Sequence, residues 1–159
     1  MKKVYLIILA SLLVLVFGAV PALAQKDKML KGTKEEAVEM VKKAVALYKK
    51  VGREKAFEAM NDPKGEFQYK DLYIWVIDLD ANGLCVARPV FRQLIGQELC
   101  DFVDADGKYF MKEACELGKT KGMGWVDYKW ANPLTKRNEE KATYFECVKN
   151  ICFFSGYYK

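Results

Sequence analysis

The stretch YIWVIDLDANGLCVAR, residues 73–88, decides the fold class. Its first half alternates, with Tyr73, Trp75 and Ile77 on one side and Ile74 and Val76 on the other, which is strand spacing. Asp80-Ala81-Asn82-Gly83 is a turn, and Leu84 to Arg88 reads as the returning strand. Upstream the period is helical. Thr33-Lys34-Glu35-Glu36 is a capping box, followed by apolar residues at Ala37, Val41, Ala44, Val45, Tyr48 and Val51. Acids open this helix and Lys49, Lys50 and Arg53 close it, matching the helix dipole. Gly52 interrupts it, a shorter helix runs from Arg53 to Met60, and Asn61-Asp62-Pro63 with Gly65 ends the helical region.

Downstream, Pro89 to Asp106 has no period. Asp104 or Asp106 is placed to cap a helix over Lys108–Lys119, with Phe110, Ala114 and Leu117 on one face. Three more strands follow: Trp125–Trp130, Lys141–Val148 and Ile151–Tyr158, the last two joined at Lys149-Asn150. The order predicts an α+β fold, a long N-terminal helix packed on a five-stranded antiparallel sheet. The irregular segment and the second helix then cover part of the other face, where a small-ligand pocket fits.

The first 24 of the 159 residues stand apart. Lys2 and Lys3, an apolar run from Val4 to Val20 and Pro21-Ala22-Leu23-Ala24 form a secretory signal peptide. Residues 25–32 are expected to be a disordered lead-in, and residues 33–159 one domain. This implies a periplasmic or secreted protein after cleavage. A leader left uncleaved as an inner-membrane anchor is the alternative. The absence of histidine removes His-based triads and nearly all His-ligated metal or haem sites. A net charge of +5, alternating in sign along the chain, does not suit nucleic acid. Asp78 to Gly83 resembles half of an EF-hand loop, but Pro89 stands where the bidentate Glu belongs. Neither a metal nor a cofactor is expected.

Five cysteines are present. A two-residue loop at Lys149-Asn150 would set Cys147 opposite Cys152, within disulfide reach. Cys85 with Cys100 is a second candidate pair, which would leave Cys115 free in its helix. The alternative is that all five are small core residues.

Several blocks together resemble the single Cache domain family. They are Tyr73 to Asp78, Asn82-Gly83, Ala87-Arg88-Pro89, Leu94-Ile95-Gly96, Asp104 to Phe110, Gly124 to Pro133, Lys141 to Tyr144 and Gly156-Tyr157-Tyr158. The Gly-Trp-Val-Asp-Tyr block followed by Asn-Pro is the most specific. The resemblance implies a PAS-like sheet and extracytoplasmic sensing of small molecules, often short carboxylates. It also implies delivery of the signal to a membrane receptor or sensor kinase. Arg88 stands where family members often carry His, and the chain is expected to lack a signalling module of its own.

A carboxylate needs a cation, donors and shelter from water. With the resemblance, the residue types nominate Arg88, Tyr128, Trp130, Lys141 and Tyr144, with Tyr73 and Trp75 beside them. The competing reading makes the aromatics sheet core and the cations surface. Tyr128 and Trp130 share parity. Lys141 and Tyr144 do not, and reach one pocket only if the strand starts after Lys141 or carries a bulge. The leading function is a non-catalytic binding domain for a small organic anion. Two other classes stay open: an interaction domain with a vestigial pocket, and a hydrolase or lyase using Lys141 with Tyr128 or Asp127. A homodimer through the N-terminal helix suits the first two.

Overall fold

The computed structural model describes residues 31–159. The expected signal peptide and residues 25–30 of the expected lead-in lie outside the described residues. Helix α1 spans Lys34–Val51 and α2 Arg53–Asn61. A small ladder pairs β1 (Gln68–Tyr69) with β2 (Leu72–Tyr73). The main sheet contains β3 (Trp75–Asp78), β4 (Leu84–Ala87), β5 (Met123–Ala131), β6 (Asn138–Val148) and β7 (Ile151–Tyr158), with α3 (Phe110–Lys121) between β4 and β5. Its order is β4-β3-β7-β6-β5, antiparallel throughout. The expected α+β architecture is present.

The capping box forms as read. The Glu36 amide donates to Thr33 Oγ1 at 3.2 Å, and Glu36 Oε2 accepts from the Thr33 amide at 2.8 Å. The domain starts slightly before that cap. Gly32 packs so closely on Leu72 that a Cβ there would overlap its side chain, and the Gly32 amide donates to Asp71 Oδ1 at 2.6 Å. Lys31 and Gly32 therefore belong to the folded domain rather than to a loose lead-in.

The sheet separates two cores. On one side α1 and α2 cover Phe67, Leu72, Ile74, Val76, Ile151 and Phe153. On the other, α3 and the 89–106 segment cover Tyr73, Trp75, Ile77, Tyr128, Phe145 and Phe154. The first predicted strand is divided at Ile74, whose amide donates to Phe67 O at 2.9 Å, but the alternation of faces survives.

Three other details differ from expectation. No side chain caps α3. Asp104 Oδ1 accepts from the Asp106 and Lys108 amides, and Oδ2 from the Lys129 amide at 3.0 Å, so this carboxylate ties the loop to β5. Burial opposes that charge, but the backbone donors of Lys129, Lys108 and Asp106 hold its carboxyl below the ordinary carboxylate range. Second, β6 begins at Asn138 and pairs without interruption, so neither escape from the Lys141–Tyr144 parity conflict is available. Third, β4 carries a bulge. Val76 faces Ala87 while Ile77 faces Cys85, leaving Val86 as the extra residue.

The cysteines pair as Cys147–Cys152 and Cys100–Cys115, with Cα–Cα distances of 3.9 and 5.9 Å. The first is the expected hairpin pair, closed by Lys149 at φ +56°. The second corrects the Cys85–Cys100 expectation, and Cys85 is the buried free thiol. The reason is packing: Cys100 Sγ sits 2.7 Å from where a Gly83 Cβ would be, with Cys115 Sγ beside it at 3.4 Å. Glycine at that positive φ leaves room for the bridge to α3. A non-reducing peptide map is expected to link Cys100 to Cys115 and to leave Cys85 alone alkylatable after unfolding. Replacing Cys100 and Cys115 by Ser should cost about 3 kcal/mol in urea denaturation, as a 15-residue separation implies.

Candidate functional site

The bulge at Val86 places the site's main charge. It turns Ala87 toward the helix-side core, opposite Val76, and Arg88 toward the other side. Arg88 is 3% exposed. Its amide is held by Asn61 Oδ1 at 2.9 Å, and its Nε donates to Val90 O at 2.6 Å. The guanidinium carbon lies 5.9 Å from the Tyr73 ring centroid, 6.0 Å from Trp75 and 5.6 Å from Phe91. These rings supply cation–π attraction. With Nε tied to the backbone, the terminal nitrogens have no hydrogen-bond acceptor among the described residues and present a planar fork.

Arg88 lines a cavity that opens to solvent, with about 290 Å³ of empty space when the open solvent at its mouth is included. Its other walls are Tyr73, Trp75, Tyr128 and Trp130 from the sheet, Phe110 and Met111 from α3, and Leu94, Leu99 and Phe102 from the irregular segment. No carboxylate among the described residues lines it. Phe110 stacks on Tyr128 at 3.9 Å, and the Tyr128 hydroxyl is paired with Thr143 Oγ1 at 2.9 Å. Burial pushes the Tyr128 hydroxyl well above the ordinary tyrosine range. The indole Nε1 of Trp130 is buried and has no partner among the described residues.

The structure thus brings five of the seven nominated residues together: Tyr73, Trp75, Arg88, Tyr128 and Trp130. Trp75 serves both readings, since it also stacks on Phe154 at 4.0 Å. Tyr144 is on the opposite face. Its ring lies 5.2 Å from Trp125, and its hydroxyl donates to Glu146 Oε1. Burial and that carboxylate push it up to about 12.

Lys141 faces the cavity side but lies beneath the wall. It is 0% exposed, its Nζ sits 4.0 Å from the Tyr73 ring centroid and 4.5 Å from that of Tyr158, and it donates to Tyr158 Oη at 3.4 Å. Tyr158 in turn donates to Ala131 O at 2.7 Å. Space for the lysine stem comes from Gly156, where a Cβ would meet Lys141 Cε at 2.8 Å and overlap Thr143 Oγ1. Burial holds the ammonium below the ordinary lysine value, and nearby Arg88 acts the same way.

The lining residues that the sequence does not nominate for binding are apolar. Leu94, Leu99 and Phe102 fall in a segment without a period, while Phe110 was legible as a helix-face residue.

A lysine value lowered by folding adds stability that is present above pH 10.5 and lost as pH falls through the folded value. Lys141→Met is therefore expected to be within about 1 kcal/mol of the wild type at pH 7, or more stable. Any advantage of the variant should shrink as pH approaches 10.5. Paired thermal melts at pH 7 and 10 check this. A large loss at pH 7 would show the ammonium to be well compensated.

Residues 1–151 match the family described as Single Cache domain 2. The chain is similar in structure to the periplasmic sensor domain of a chemotaxis protein, at 25% identity over 86% of this chain and 96% of that one, with a TM-score of 0.60. It is also similar to a Cache chemosensory domain solved to explain carboxylic acid recognition (24% identity, 89% and 98% covered, TM-score 0.64). A methyl-accepting chemotaxis protein from Vibrio parahaemolyticus RIMD 2210633 shares the fold at 18% identity, with 87% and 92% covered and a TM-score of 0.63. With a match over most of its length and a sheet, helices and cavity to go with it, the chain belongs to the single Cache domain 2 family of small-ligand sensor domains.

Proposed function

We propose that this protein binds a small organic anion, a short carboxylate, outside the cytoplasm and without chemical conversion. The observation that carries this reading is Arg88: a guanidinium 3% exposed, facing a cavity with no carboxylate in its walls among the described residues. A buried charge without an ion partner is costly, and an anion of matching geometry removes that cost. The two terminal nitrogens suit two carboxylate oxygens. Trp130 Nε1 is a spare donor, and Leu94, Leu99, Phe102 and Met111 suit a short apolar tail. The carboxylic acid recognition described for one structural neighbour supports the same class.

Location after leader cleavage, with an anchored leader as alternative, follows from the basic-apolar-AxA start and agrees with a neighbour described as periplasmic. A receptor or kinase in the membrane is the partner class this family suggests. Chemistry is disfavoured by the site itself. Lys141 is sealed under Tyr73, the Tyr128 hydroxyl is engaged by Thr143 with its ionisation suppressed, and Asp127 is exposed and paired with Lys159 at 3.0 Å.

A thermal-shift screen of formate, acetate, propionate, butyrate, lactate, pyruvate and amino acids tests the reading. At one hundred times its Kd, a ligand should add about 2.7 kcal/mol of stability. Arg88→Met is expected to abolish that shift while the apo melting curve stays cooperative. An equal shift in Arg88→Met, or no shift from any compound, would contradict it.

A further inference from the structure

Phe91 stands in a backbone conformation that bulky residues rarely take. Its φ and ψ are +55° and +46°, in the left-handed region. The other non-glycine residues with positive φ among the described residues, Lys70, Asn82, Lys136 and Lys149, are all polar. Glycine or asparagine would take such a turn at less cost, so the turn alone does not call for an aromatic ring. The conformation is fixed from both sides. Asn61, the last residue of α2, accepts the Arg88 amide on Oδ1 at 2.9 Å and Arg92 Nη1 on its carbonyl oxygen. The Leu94 amide donates to Phe91 O at 3.0 Å. What the strain secures is the place of the ring. The ring centroid lies 5.6 Å from the Arg88 guanidinium carbon, and it meets Tyr73 and Trp130 edge-on at 5.9 and 6.2 Å. Those three residues line the cavity, whereas Phe91 does not. The ring is only partly buried, so it stands behind the cavity wall, between Arg88 and solvent.

We propose that Phe91 is the outer shield of the anion site: its ring keeps water off the Arg88 guanidinium and thereby strengthens the hold on a carboxylate. This deepens the reading in the preceding subsection and rests on it for the ligand. An ion pair open to water is weak, and the same pair gains when its surroundings are apolar and dry. Tyr73 and Trp75 cover Arg88 from the sheet, and Phe91 covers it from the irregular segment. Cover of this kind takes no hydrogen bond from the terminal nitrogens, which stay free for two carboxylate oxygens. The strained backbone at Phe91 is the cost of completing that cover from a short turn pinned to α2.

The test compares the full chain with Phe91→Gly, Phe91→Ala and Phe91→Tyr. Phe91→Gly removes the ring and suits the positive φ, Phe91→Ala removes the ring and keeps the backbone cost, and Phe91→Tyr keeps both. In ligand-free protein at pH 7, exchange of the Arg88 Nε–H with water is read by ¹⁵N NMR. It is expected to speed several-fold in Phe91→Gly and Phe91→Ala alike, and to stay near the wild-type rate in Phe91→Tyr. An unmoved Trp125 indole N–H, on the opposite face, reports that the fold is kept. With acetate and propionate as probes, Kd should rise several-fold in Phe91→Gly and stay near the wild-type value in Phe91→Tyr. Wild-type exchange in Phe91→Gly, with acceleration in Phe91→Ala only, would show that the residue serves the turn and would overturn the shield. Faster exchange in Phe91→Gly with an unchanged Kd would overturn its part in binding, with the binding reading intact. No binding of either probe, nor of any acid in the screen, to the wild type would overturn the binding reading, and the ligand-free exchange series would still decide whether Phe91 keeps water off Arg88.

Discussion

Two cations are buried in the aromatic half of this core, and neither has a carboxylate in contact. Arg88 and Lys141 are absent from every ion pair among the described residues. Taking such charges out of water costs several kcal/mol each after relaxation. Aromatic faces return only about 0.5–2 kcal/mol apiece, even though Tyr73 serves both cations. The site is thus left short of negative charge. Most of the local architecture follows from accommodating that shortage: the rings around Arg88, the missing side chain at Gly156 and the Tyr158 hydroxyl chain.

The rest of the fold holds this half of the core in place. The bulge at Val86 re-aims β4 so that Arg88 crosses to the cavity side. The Cys100–Cys115 bridge ties Leu99 and Phe102, on the irregular segment, to the helix that carries Phe110 and Met111. Asp104 fastens the same segment to β5 through the Lys129 amide. A segment without regular structure thereby becomes a fixed wall. On the opposite side, α1 and α2 cover an apolar sheet face. Both buried cations, Arg88 and Lys141, lie on the aromatic side of the sheet.

Local signals in the sequence were sufficient for the elements and their order. The Thr33–Glu36 box, the alternation from Tyr73 and the Lys149-Asn150 hairpin each express a short-range rule, and each element forms. Parity also carried real information: it flagged Lys141 and Tyr144 as incompatible, and the uninterrupted β6 ladder leaves Tyr144 on the helix side. What stayed hidden was non-local. Nothing in Leu84 to Arg88 announces a bulge, because the extra residue is defined by its partner strand. The choice of Cys115 over Cys85 as partner of Cys100 depends on how a segment without periodicity folds over Gly83. The depth of Lys141 depends on Gly156, fifteen positions away and one strand across.

The claim that one anion sits against Arg88 between the sheet and α3 is open to a direct observation. The three tryptophans give three indole N–H resonances, two of them at the cavity (Trp75 and Trp130) and one on the opposite face (Trp125). A ¹⁵N NMR titration of the chain with a series of short monocarboxylates is expected to move the Trp130 and Trp75 indoles and the Arg88 Nε–H saturably, while Trp125 stays in place. A saturable shift confined to Trp125, or none at all across the series, would contradict the account.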